Sequence, residues 1–201
     1  MANIKHTKNE LKAQREALKR FQRYLPTLQL KKQQLQLEVR QLEAKLESER
    51  QAAARDQAEL ARWVRLFAEP VKWEDWLAVR AIRLGQGNIA GVAIPVLDGI
   101  EFERPVPDLF ATQAWLDDGV DMLERRIRSH LELRVLAEQM RRLADELRTT
   151  NQRVNLFEKV KIPEARENIR VIRIFLGDQM TAGVARSKMA KAKAVEQEVA
   201  A

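Results

Sequence analysis

Leu11, Leu18, Leu25, Val39 and Leu46 fall on one seven-residue repeat, with Lys32 its one polar interruption. Phe21, Leu28, Leu35 and Leu42 follow three places after members of that series. A repeat averaging 3.5 residues is what two supercoiled helices need to keep one apolar edge in contact. The intervening Gln, Lys, Arg and Glu are good helix formers that remain in water. The seam thins through Glu49, Ala53 and Asp56 and resumes at Leu60, Trp63 and Phe67. At about 1.5 Å per residue, such a helix is on the order of 100 Å long.

A second apolar series runs through Val120, Leu123, Ile127, Leu133, Leu136, Met140, Leu143, Leu147, Val154 and Phe157. Its register then slips, and Ile162, Ala165, Ile169, Ile172 and Leu176 carry the stripe on. A slip of this kind locally unwinds a supercoil without ending the helix. Asp117, Asp118 and Asp121 suit the positive end of a helix dipole near the start of this segment.

Between the two series the pattern changes. Pro70 ends the first helix, and Trp73 and Trp76 open a compact stretch. Val79, Ala81, Ile89, Val92, Ile94, Val96, Ile100 and Phe102 read as strand, punctuated by Gly85, Gly87, Gly91, Pro95 and Gly99. A two- to three-stranded unit is expected, and it must pack on the helices or on a partner because an isolated hairpin is marginal in water.

The expected fold is therefore mainly α: a long antiparallel two-helix coiled-coil hairpin with a small β-hairpin module in the middle of the sequence. The expected segments are an N-terminal coiled-coil helix over 1–68, the middle segment with its short hairpin over 69–112, a C-terminal coiled-coil helix over 113–190, and a basic then polar, frayed tail over 191–201. If the helices pair antiparallel, Phe67 lies near Asp118, and Pro26 faces the neighbourhood of Lys159, close to Pro163. Each proline removes an intrahelical hydrogen bond, so the pair makes either one shared bend or two unrelated local kinks.

Composition narrows the chemistry. The chain has no cysteine, which excludes disulfides and thiolate metal sites. No apolar run approaches the roughly 20 residues that span a bilayer, and the N-terminus lacks an apolar signal-peptide core. A soluble, cytoplasmic protein is the expectation. Net charge is +7 and concentrated at the ends: Lys5, Lys8, Lys12, Arg15, Lys19, Arg20 and Arg23 at one, Arg186, Lys188, Lys191 and Lys193 at the other. Nucleic acid, anionic lipid or an acidic protein cavity would each suit such ends.

Catalytic constellations are missing. GQGNIA at 85–90 fits a relaxed G-x-G-x-x-A, but strand-like GVAIPVL follows it where a dinucleotide site needs a helix, so it reads as a hairpin turn. No P-loop occurs. His6 and His130 are the only histidines and sit on opposite helices, too few for zinc or a nucleophilic site. The three aspartates lack a calcium loop around them. Trp63, Trp73, Trp76 and Trp115 suit a local core or partner anchor better than a base-stacking platform. No catalytic, cofactor-binding or metal-binding residue is assigned, and no cofactor is expected.

The segment RTTNQRVNLFEKVKIPEARENIRVIRIFLGDQM, residues 148–180, resembles the C-terminal helix of the D subunits of V-type ATPases and ATP synthases. Arg153, Val154, Asn155, Leu156, Glu158, Ile162 and Pro163, followed by the Ile169, Ile172 and Leu176 stripe, carry the likeness. TKNELKAQREALKRFQRYLPTLQLKKQQL is similar to that family's opening helix and NIAGVAIPVL to its hairpin region. The resemblance implies a non-catalytic central-stalk rotor, coupling ATP synthesis or hydrolysis in an A/B hexamer to hydrogen ion or other ion transport in the membrane sector. The implied partners are the A/B catalytic hexamer, met by the helix termini, the F subunit, and the adaptor between stalk and membrane ring. The implied location is cytoplasmic, peripheral to the membrane. A torque shaft turning in a sleeve should also lack large apolar patches on its outside. A coiled-coil scaffold or tether is the alternative, and a nucleic-acid-binding coiled coil a further one.

Overall fold

The computed structural model describes residues 4–63, 65, 69, 71–106 and 112–199, with side chains to 194 except that of Trp63. The expectations placed on Phe67 and Pro70 lie outside these residues. The fold is mainly helical. Helix α1 spans Lys8–Trp63, strands β1 and β2 span Ala78–Ile89 and Val92–Glu103, and α2 spans Leu116–Leu156. A π turn, Phe157–Lys161, joins α2 to α3, Ile162–Val199. Helix α3 thus extends past the expected boundary at 190.

The chain groups into two compact units, one of residues up to Leu30 with those from Thr150 onward, the other Lys31–Thr149. In the second unit the heptad leucines form the core. Leu35 and Leu143 are fully closed to solvent, and Leu42, Leu46 and Leu136 are buried with them. Val39, Leu133, Met140 and Leu147 pack around this cluster half-buried, so the seam positions read from the period are the ones withdrawn from water. Lys31 reaches Glu146 at 2.5 Å, and Arg126 donates to the carbonyl of Ala53 at 3.0 Å, which fixes the helices of this unit as antiparallel.

In the first unit the direction is the same. His6 packs on Phe175, with ring centroids 4.7 Å apart, Asn168 donates to Gln14, and Phe21 meets Phe157 at 5.3 Å. Val154, Ile162, Ala165, Ile169 and Ile172 are buried along this pair. The register slip expected after Phe157 is the π turn itself. The amide of Ile162 donates five residues back, to the carbonyl of Phe157, so one extra residue enters the helix. Pro163 follows at once; its ring clashes with a carbonyl four residues back in a regular helix, and the wider turn relieves that clash.

Helix α1 continues through Pro26 without a break. One shared bend at the two prolines does not fit the observed register. Since Phe21 faces Phe157 and Gln14 faces Asn168, Pro26 lies opposite the residues just before Phe157, and Pro163 opposite the stretch between Gln14 and Phe21. The prolines are about two and a half to three helical turns apart along the pair.

Strands β1 and β2 form a two-stranded antiparallel sheet in which Ile89 faces Val92. The turn is therefore Ala90-Gly91, and the expectation that GQGNIA makes the turn is corrected: Gly85–Ile89 is strand. Ala90 and Gly91 both have positive φ, 51° and 81°, the signature of the two-residue turn that matches strand twist. Asn88 Oδ1 accepts the Gly91 amide at 2.9 Å and closes it.

Candidate functional site: the seated hairpin and the paired termini

Among the described residues no group of three or more His, Cys, Asp and Glu is placed to hold a metal ion. The features that distinguish the molecule are surfaces, and each grows from the helical seam.

The hairpin is seated on the Lys31–Thr149 unit through Ile94, buried among Leu35, Leu42, Leu46, Leu136 and Leu143. Ile89, Ala90 and Val92 pack around the same cluster. Two polar ties hold it there. Gln139 Nε2 donates to the carbonyl of Pro95 at 2.6 Å, and Arg142 Nη1 donates to the carbonyl of Ala93 at 3.2 Å. Pro95 has no amide to offer the ladder, and its carbonyl is used by the helix instead. Val79 and Ile82 border Arg126, Ile127, His130 and Leu131 of α2, and Val96 borders Leu136 and Gln139; all three stay partly open to solvent, as does Leu84.

A charged clasp fixes the exit from the hairpin. Arg104 bonds Asp117 at 2.6 Å and also pairs with Asp121, with Glu124 at 3.9 Å. Hydrogen bonds to Asp117 and then Asp121 raise the Arg104 pKa further above its ordinary value. Asp117 and Asp118 lie in the first turn of α2, as the helix-dipole reading required, and Arg104 is the partner that reading missed. Nearby, the Trp73 and Trp115 rings stand 5.8 Å apart, and Trp115 Nε1 donates to Glu69 at 3.2 Å. Two of the four expected tryptophans thus meet; Trp76 is half-buried, and the side chain of Trp63 lies outside the described residues.

At the paired termini the two basic ends do not lie level as the sequence suggested: Arg186, Lys188, Lys191 and Lys193 fall further along α3 than the residue that meets His6. His6 lies on Phe175, which brings Lys5 and Lys8 to the stretch of α3 that holds Arg173. Beyond Leu176 the outside departs from expectation. Met180, Val184 and Met189 are 58–69% exposed. The physical reason is length: His6, near the first described residue, is already level with Phe175, so α3 runs on past α1's cover. Met180 and Val184 continue the Leu176 row at helical spacing, an apolar stripe without a partner among the described residues.

Residues 10–192 match the family model for the D subunit of ATP synthase. The V-type ATP synthase D subunit of Borreliella burgdorferi is 45% identical over 98% of this chain and 97% of its own length. The corresponding V-type ATP synthase D subunit of Chlamydia trachomatis serovar L2 is 35% identical over 96% of each, and that of Chlamydia felis 34% identical over 96% of this chain and 94% of its own. The matched span takes in the heptad helices, the seated hairpin and the π turn alike, and on that footing the chain belongs to the family of V-type ATP synthase D subunits.

Proposed function

We propose that this chain is the central-stalk rotor of a V-type ATP synthase or ATPase, non-catalytic, coupling nucleotide chemistry in an A/B hexamer to ion translocation in the membrane sector. The observation that carries the reading is the match to ATP synthase D subunits over residues 10–192. The seam supports it: a shaft must resist twisting, and helices locked by fully buried Leu35 and Leu143 resist it better than a single helix.

The termini, with their basic residues and the uncovered Met180 and Val184, are the end that enters the hexamer. The F subunit and the stalk-to-ring adaptor are the remaining partners, and the seated hairpin belongs to the part facing the membrane rotor. No helix among the described residues is long and apolar enough to cross a membrane, which agrees with a peripheral place in the complex.

The test is reconstitution. Complexes assembled with the chain should co-purify it with the F subunit and the A/B hexamer and pump ions on ATP. Complexes assembled without it should hydrolyse ATP without pumping. Failure to assemble, or full ATP-linked transport in its absence, would favour a tether.

A further inference from the structure

Between α1 and α2, where the seam thins, lies a space of about 240 Å³. It exists because Ala53 puts a methyl group where the seam elsewhere puts leucine, with the small Ala54 beside it. Its walls come from the same face of each helix, at helical spacings of three and four residues, so both present their side chains to one point. Arg50 and Gln57 stand on the α1 side, Arg126, Ser129 and His130 on the α2 side, with Leu133 as an apolar wall.

We propose that this space is a binding site for a small oxyanion, held by Arg50, Arg126, Ser129 and His130. Arg126 is the central observation. It donates to the carbonyl of Ala53 at 3.0 Å and to Gln57 Oε1 at 3.1 Å. Both acceptors are neutral, so they orient the guanidinium without cancelling its charge. Five N–H groups leave it three to offer a ligand. Among the described residues, no carboxylate lies within 4.0 Å of Arg50, Arg126 or His130. Glu124, two residues before Arg126 on α2, is already paired with Arg128 at 3.0 Å. Ser129 adds a hydroxyl donor, and His130 a ring N–H in either protonation state. The ligand class follows: a guanidinium fork matches two oxygens of a carboxylate or phosphate. Against about 30 Å³ for a water molecule, the space takes a tetrahedral anion with part of its hydration. Free phosphate and an acidic side chain of a neighbouring protein share this chemistry.

The experiment is calorimetric titration of the full chain with sodium phosphate and with sodium acetate, at ionic strength matched with chloride. Arg50→Gln and His130→Gln are the variants; both side chains are exposed and neither makes a hydrogen bond that holds the fold. The expected result is saturable binding of one phosphate, weakened about tenfold or more by Arg50→Gln, since a charge-assisted bond is lost. Acetate binding as well as phosphate assigns the site to a carboxylate source; phosphate alone assigns it to a free tetrahedral anion. Absence of saturable binding by either, or binding equally tight in both variants, overturns the proposal.

Discussion

The side-chain amide of Gln139 donates to the carbonyl of Pro95 at 2.6 Å from a position only 8% open to solvent. This bond satisfies a carbonyl that the hairpin presents to α2, so its loss leaves a polar atom against a helix. Gln139→Leu should cost about 1–3 kcal/mol, the penalty for an unpaired buried acceptor. The check is the unfolding midpoint followed by circular dichroism. A variant as stable as the parent would mean that water replaces the amide freely.

Leu35 and Leu143 meet in the same core with no solvent exposure. Leu143→Ala should destabilise by about 2–5 kcal/mol through lost burial and the cavity left behind. Leu35→Asp or Leu143→Asp should cost more, because a carboxylate there has no partner. Urea unfolding of all three variants orders them; an aspartate variant as stable as the alanine one would remove Leu143 from the core.

The π turn stores one extra residue between Phe157 and Ile162. Deleting Val160 together with Pro163→Ala should return the segment to regular helix and keep the Ile162, Ala165 and Ile169 stripe on the seam. Inserting one alanine after Val160 instead rotates that stripe by roughly 100°, one helical residue. The insertion should lower the melting midpoint well below that of the deletion, at about 2–4 °C per kcal/mol for a chain of this size. Equal midpoints would show that the stripe is not held in register.

Glu138 accepts from Arg141 and Arg142 on one exposed face of α2. The Arg141 hydrogen bond, then that of Arg142, lowers its pKa to about 2. A depressed folded pKa contributes stability above the unfolded value, near 4.3, that disappears as pH falls through the folded value. Glu138→Gln should therefore flatten part of the acid slope between about pH 4.5 and pH 2. The effect is small because the site is exposed, and it should shrink further in high salt. Acid titrations of stability at two salt concentrations check the sign.

Much of the fold was legible in the chain because heptad spacing is a local signal: Leu35, Leu42, Leu136 and Leu143 announce their burial by position alone. The slip after Phe157 was readable from a five-residue gap before Ile162, although only the backbone shows it to be a π turn. The hairpin turn was misplaced because glycines at 85 and 87 look like a turn, whereas they are strand positions where a side chain would crowd Asp98 and Val96. The polar ties were hidden for a different reason. Gln139, Arg142, Arg104 and Arg126 look like solvated helix or loop residues, and their partners are far off in sequence. Charge at a helix surface carries no period that tells which member faces a neighbour. The uncovered row at Met180 and Val184 depended on where α1 ends relative to α3, which only the register of His6 and Phe175 fixes.

The chain lacks cysteine, so one introduced at exposed Ser48 takes a probe at a single place. A bead attached there, with the A/B hexamer fixed to a surface, reports directly on whether this chain turns. Adding ATP should set the bead rotating in one direction, stopping when ATP is exhausted. A bead that stays still while the fixed complex hydrolyses ATP at its full rate would contradict the rotor account.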